Sequence, residues 1–265
     1  MDAFNYHSFN HLVGDVSAML FSSSKHDIMK YQVSVSLLTQ AIEYVRQHRA
    51  LTHAALSGEA YDRKQLVNVQ SHLHHCAAEI LKSRVIGKKV DRISLQNQMT
   101  HLVDSTGELT LTKSLVVHGK VIRQLIFQID EQMLTAMTQA NKLDLAGEYN
   151  DQWQSIMSAV DALTQYRLAI VAMHVEPRDE VLVNRAKMLY SKLMKVSYLY
   201  KGYHPNLEAC LMSLEKHTKA ENLKLSVARQ QELYALCSEI SAAVIEVYRQ
   251  TTEHTCLKVF NACVD

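Results

Sequence analysis

The sequence predicts an all-α protein built as two tandem four-helix bundles, and three observations carry that prediction. Its 265 residues contain only seven glycines and two prolines, too few for a chain organised around turns and strands. Apolar residues recur three and four apart along most of its length, as on a helix with one buried face, and no segment alternates as a strand does. A series of long, long, short and long helical segments then occurs twice, with two helix pairs in register at a constant spacing of 118 residues.

Taken in order, residues 1–27 read as a short N-terminal helical arm that closes one end of the core. Phe9, Leu12, Val13, Val16, Met19 and Leu20 follow the helical period, Ser8 is an available N-cap, and the run SSSKHD at 22–27 breaks the pattern. The first bundle is expected over 28–146. Its first helix runs from 28 to 56 behind Asp27 and stops at Ser57-Gly58. A second, at 62–86, carries the stripe Leu66, Val69, Leu73, Cys76, Ala77 and Ile80 and ends at Gly87. A shorter third, at 90–103, stops at Asp104-Ser105-Thr106-Gly107. The fourth, at 109–143, lines up Leu111, Leu115, His118, Ile122, Ile126, Ile129 and Met133, and Gly147 closes the set.

The second bundle is expected over 147–265. A fifth helix covers 150–174 and Glu176-Pro177 stops it. The sixth reaches 200, where Gly202-Tyr203-His204-Pro205 intervenes; a short seventh reaches 217, and a long eighth starts near 225. The fourth and eighth helices match at the 118-residue spacing through Leu115/Leu233, Ile122/Ile240, Ile126/Val244 and Ile129/Val247. The second and sixth match at 116, through Leu66/Leu182, Leu73/Leu189, Ala77/Leu193 and Ile80/Val196. Internal duplication with length changes in the loops accounts for both values. No Gly/Pro/Ser-rich linker separates the halves, so they are expected to share an interface.

Composition removes several function classes. Apolar residues make up 48% and charged residues 21%, which is ordinary for a globular chain. A net charge of +1 gives no electrostatic footprint for nucleic acid. The five cysteines, Cys76, Cys210, Cys237, Cys256 and Cys263, are scattered without CxxC spacing, which fits a reducing compartment better than a disulfide framework or zinc site. The N-terminus lacks a basic region and a long apolar run, so neither a signal peptide nor a membrane span is expected, and the cytoplasm is the expected location. No phosphate loop, dinucleotide fingerprint, nucleophile elbow or HExxH helix occurs, so no cofactor and no enzymatic activity are expected.

The anomaly in this pattern is a pair of arginines. In the first helix Leu38, Ile42, Val45, Thr52 and Leu56 form an apolar stripe that Arg49 interrupts. In the fifth, Ile156, Val160, Leu163, Ile170 and His174 form another that Arg167 interrupts, each position 118 residues beyond its counterpart. A buried guanidinium left unpaired costs several kcal/mol. It needs a carboxylate, a carbonyl or a bound anion. Acids are scarce on these stripes, since Glu43, Asp130 and Glu246 fall off them, and two guanidiniums at one pocket repel unless an anion lies between. A small planar oxyanion suits the guanidinium fork. An internal salt bridge and an anion site both remain open on pattern alone.

Two other features carry alternatives. His72, His75/Cys76 and Glu79 share a face of the second helix, the spacing of a metal site, but no matching Glu and Glu-x-x-His set exists on the other helices. A polar helix face with a buried cysteine is the plainer reading, and no metal is expected. His118, followed by Gly119, is either a core histidine satisfied by a neighbour or part of a cavity shared with the arginines.

The run Val45-Arg46-Gln47-His48-Arg49-Ala50-Leu51-Thr52 resembles the signature helix of the nitrate- and nitrite-sensing (NIT) domain family, aliphatic-Gln-Arg-Glu-Arg-Gly-Leu-Ser. Ser57-Gly58, Leu66-x-x-x-Gln70, His118-x-x-Val121-Ile122-x-x-Leu125 and Tyr234-x-x-x-Ser238-x-Ile240 are similar to later family motifs, in the same order, over roughly residues 30–250. The chain departs from the signature at Gln47, His48 and Ala50, where the family has Arg, Glu and Gly, and at Ser71 and His75, where it often has Arg and Asp. The resemblance implies tandem four-helix bundles that bind nitrate or nitrite through helix-borne arginines and relay occupancy to an output. Arg49 matches the signature; Arg167 follows by the internal repeat; Arg46, Thr52 and His118 are expected to orient the anion. With no output domain after the eighth helix, the expected listener is a separate protein or a second copy, and neither nucleic acid nor membrane. The rival readings are a helical adaptor with structural arginines and a metal-dependent bundle enzyme.

Overall fold

A computed structural model describes the backbone over residues 6–173, 179–200, 204–218 and 227–261, and side chains over 29–173, 180–200, 204–217 and 228–259. The described residues are almost entirely helical, with no strand among them. In chain order the helices are α1 (Tyr6–Leu56), α2 (Arg63–Lys82), α3 (Lys89–Asp104), α4 (Leu111–Gln139), α5 (Ala146–Ala172), α6 (Asp179–Leu199), α7 (Pro205–Thr218) and α8 (Val227–Asn261), with one 3-10 turn at Leu143–Leu145. The expected all-α class holds.

Local chemistry fixes the corners. Gly58, at φ +72°, ends α1 in a Schellman turn: Glu59 N donates to Ala54 O at 2.8 Å and Gly58 N to Ala55 O at 3.3 Å. Asp62 then caps α2, its Oδ1 accepting from Lys64 N at 2.8 Å and Gln65 N at 3.1 Å. Asn141, at φ 55°, ends α4 in the same way as Gly58, with Lys142 N donating to Met137 O at 2.8 Å. Asparagine is the next-best residue for this left-handed position, so α4 stops at Gln139, short of the expected 143.

Two expectations are corrected. α1 runs unbroken through 22–27, so the arm and the first helix are one 51-residue helix. Serine, lysine, histidine and aspartate each carry only a modest helix penalty, and no glycine or proline stops the chain there. Gly147 does not close the first bundle but lies in the first turn of α5. The side chains of Phe9 to Leu20, the stop at Glu176-Pro177, His174, Gly202-Tyr203, and the terminal Phe260, Cys263 and Val264 lie outside the described residues.

Helix neighbours show how the halves are assembled. α1 packs on α2 and α4, α2 on α3, and α3 on α4, closing one ring of four. α5 packs on α6 and α8, α6 on α7, and α7 on α8, closing a second. The rings meet mainly through α4 on α5, with a lighter seam between α1 and α8. Leu38, Ile42, Leu73, Ile80, Ile126, Leu163, Leu189, Leu193 and Ile240, all fully buried or nearly so, belong to one apolar cluster that spans both rings. The inner helices α1, α4, α5 and α8 therefore carry the shared core, and the arginine stripes lie on two of them.

Candidate functional site

Position 49 faces inward because Leu38, Ile42 and Val45 fix the buried face of α1, and position 167 faces inward because Ile156, Leu163 and Ile170 do the same for α5. Arginines at such positions usually run their stems to the surface. These do not: Arg49 is 6% exposed and Arg167 2%. Arg49 Nη2 donates to Ser241 Oγ at 3.0 Å, and Arg167 Nη2 donates to the Cys237 carbonyl at 2.6 Å, acceptors one turn apart on α8. Among the described residues no carboxylate pairs with either. Each guanidinium carries five N–H donors, and one bond apiece leaves most of them unmatched.

Electrostatics point the same way. Burial holds the Arg49 guanidinium well below its ordinary pKa, and the nearby charges of Arg167 and Arg46 add to the effect. A guanidinium does not give up its proton in a protein, so the direction marks two like charges held without a counter-charge. Around them are donors with no partner among the described residues: Arg167 Nε, Thr52 Oγ1 and Tyr234 Oη are buried and unbonded. Ser241 Oγ accepts from both Arg46 Nε and Arg49 Nη2, each at 3.0 Å, which leaves its own O–H to donate. The Arg167 guanidinium lies 6.0 Å from the Tyr234 ring centroid, and burial pushes the Tyr234 hydroxyl up to about 12.

A small cavity lies between the two arginines. Arg49, Ile122, Thr164, Arg167 and Ser241 line it together with Gly119, and its volume is about 10 Å³, room for about one water. A Cβ at Gly119 would sit 3.4 Å from the Thr164 methyl, an ordinary contact, so α4 and α5 meet closely here with space for a methyl. Of the residues expected at the site, Arg49 and Arg167 line this cavity, while Arg46, Thr52 and His118 lie off its wall. Arg46 stands at the seam: it pairs with Glu43, reaches Ser241 across the helices, and borders an open groove of about 940 Å³ between α1 and α8.

His118 is a satisfied core histidine. Its Nδ1–H donates to the Ser114 carbonyl at 2.7 Å, and its Nε2 meets His48 Nδ1 at 2.9 Å. The histidines of α2 do not converge on a metal. His72 stacks on Tyr44, His74 lies 3.9 Å from Asp104, and Glu79 pairs with Lys82 at 2.8 Å. Burial pushes the Cys76 thiol up to about 11. Among the described residues no group of three or more His, Cys, Asp or Glu side chains is placed to hold an ion. No helix among them is long and apolar enough to cross a membrane.

Sequence reasoning missed Ser241, the Cys237 carbonyl and the role of His48. Ser241 was findable, because it interrupts the α8 stripe of Leu233, Cys237 and Val244 as Arg49 interrupts its own. A backbone carbonyl carries no sequence signal. Compared with known proteins, the chain matches no family model, no curated protein and no solved structure.

Proposed function

We propose that the protein binds a small planar oxyanion, nitrate or nitrite, between Arg49 and Arg167. Occupancy would pass to a separate protein or a second copy by movement of one bundle against the other. The observation that carries this reading is the meeting of two buried guanidiniums from different bundles with no carboxylate paired to either among the described residues. An anion there would convert a repulsive pair into two charge-assisted contacts, with Arg167 Nε and the hydroxyl of Ser241 as further donors. The resemblance of 45–52 to the nitrate- and nitrite-sensing signature supports the ligand class, and Arg46 supplies a second arginine next to the position that Gln47 occupies.

A cavity of about 10 Å³ holds a water but not a four-atom anion without parting its walls. Those walls come from α1 and α4 of one bundle and α5 and α8 of the other, so entry of the ligand displaces the bundles. The lightly packed seam between α1 and α8 is where the displacement meets least resistance.

Thermal unfolding of the purified protein in nitrate, nitrite, chloride and sulfate at fixed ionic strength tests the reading, with Arg49→Ala alongside. Ligand at a hundredfold over Kd adds about 2.7 kcal/mol. Selective stabilisation by nitrate or nitrite that the variant lacks is the expected result. Equal responses to all four anions would leave a helical adaptor with structural arginines.

A further inference from the structure

The cavity between Arg49 and Arg167 lies among helices, and an anion bound there needs a way in from solvent. Most of its wall is buried, Arg49, Ile122, Arg167, Ser241 and Ile245 included. Three lining residues are only half-buried: Gly119 of α4, and Val160 and Thr164 of α5. They sit together, since Val160 and Thr164 are one turn apart on α5 and Thr164 is the residue that faces Gly119. At Gly119 the α4 side of the wall has no side chain. A Cβ built there would meet the Thr164 methyl at 3.4 Å and its hydroxyl at 3.5 Å, with no backbone of α5 in the way. The thinnest part of the wall is therefore where Gly119 faces Thr164.

Two larger openings at the surface come near the cavity, and both are less direct. The groove between α1 and α8 meets it at Ile245, which lines both. Ile245 is buried, however, and the bond from Arg46 Nε to Ser241 Oγ at 3.0 Å closes the seam beside it. A pocket of about 230 Å³ bordered by His53, Gln231 and Tyr234 has no lining residue in common with the cavity. Next to the thin wall, by contrast, stands an exposed tie between the two helices that form it. Arg123 Nη1 donates to both carboxylate oxygens of Asp161 at 2.8 Å, and each side chain is 48% exposed. Arg123 is four residues from Gly119 on α4 and Asp161 three from Thr164 on α5, so the pair spans the same seam one turn away.

We infer that the anion enters and leaves between α4 and α5, past Gly119 and Thr164, and that the Arg123–Asp161 pair is the latch across this entrance. This rests on the proposed anion site. The latch lies outside the cavity and makes no contact with its contents, so it governs how fast the anion exchanges and not how tightly it is held. Its two charges cancel, and an exposed ion pair is weak enough to open without backbone movement. In the anion reading the α1–α8 seam gives way as the ligand seats; the ligand does not pass through it. Entrance and yielding seam are thus on opposite sides of the site.

Exchange of isotope-labelled nitrate, followed by NMR, gives the off-rate, and calorimetric titration gives Kd; together they yield the on-rate. The double variant Arg123→Gln with Asp161→Asn removes the tie and keeps the net charge. It should raise both rates by about two- to fivefold, as the loss of one exposed ion pair allows, and leave Kd unchanged. Ala242→Trp fills the exposed side of the α1–α8 groove, and Gln231→Trp crowds the pocket beside Tyr234. Neither should slow exchange. Exchange unaltered in the double variant, or slowed by either tryptophan, overturns this entrance and leaves the anion site standing. No nitrate binding to the wild-type protein overturns both.

Discussion

Arg46 and Arg49, three residues apart on α1, donate to the same acceptor, Ser241 Oγ on α8, each at 3.0 Å. One hydroxyl thus ties the outward arginine, which also pairs with Glu43, to the buried one, and it does so across the light seam between the two bundles. Hydrogen bonds to charged groups contribute about 1.5–3 kcal/mol each. Ser241→Ala should lower stability by up to about 3–6 kcal/mol on that basis, since both donors lose one acceptor. Urea unfolding of the variant reads this directly. A loss below half a kcal/mol would mean that water replaces the hydroxyl.

Arg167→Met should behave oppositely. The side chain keeps its bulk, loses one bond to the Cys237 carbonyl, and relieves a buried like-charge contact that no carboxylate among the described residues offsets. Replacing uncompensated buried charge by a hydrophobe of similar size is neutral or stabilising by about 1–4 kcal/mol. The expected outcome is equal or higher stability together with loss of the nitrate-dependent thermal shift. Marked destabilisation would show that the guanidinium braces α8.

Gly119→Ala separates space from charge. Alanine gains about 1 kcal/mol of helix propensity over glycine, while its methyl comes into ordinary contact with Thr164 and narrows the cavity. Stability should change by less than about 1 kcal/mol, and anion affinity should fall with both arginines in place. Paired denaturation and nitrate titration would show it, and unchanged affinity would move the ligand away from Gly119.

Asp130 gives stability a pH dependence of its own. Burial raises its carboxyl to about 6, and the nearby Glu131 carboxylate adds to the effect. A carboxyl raised in the fold favours the protonated state there, so its penalty is absent at pH 4 and grows as pH rises through 6. Asp130→Asn should therefore stabilise the protein at pH 7.5 and leave it unchanged near pH 4. His48 runs the other way: held at about 4 against an ordinary 6.5, it costs stability as pH falls between those values. Melting curves across pH for Asp130→Asn and His48→Gln distinguish the two contributions.

Helical periodicity made the fold legible, because in an all-α chain the buried face repeats in sequence. Leu66, Val69, Leu73, Cys76, Ala77 and Ile80 are the buried residues of α2 in the order expected. Helix ends were legible where the residue was emphatic, as at Gly58, and misleading where a weak breaker stood in for a strong one. SSSKHD lacks what is needed to stop a helix, and Asn141 does what a glycine usually does. At the site, Arg49 and Arg167 were visible because a charge on an apolar stripe is anomalous within one helix. Their convergence, and the absence of a nearby carboxylate among the described residues, depend on how four helices meet, which no single stripe encodes. His118 shows the limit: the same stripe placed it inward, but only its distances to Ser114 and His48 show a histidine already provided for.

The 118-residue spacing has a consequence for stoichiometry. The arginines sit 118 residues apart and line one cavity where the two helix rings meet, so on the proposed anion reading the chain would offer one seat rather than two. Either ring alone would hold only half of it. Arg123 occupies in α4 the place that Ser241 holds in α8, and it points to the surface, paired with Asp161 at 2.8 Å. The cavity is lopsided, with one half supplying the Ser241 hydroxyl and the other the glycine.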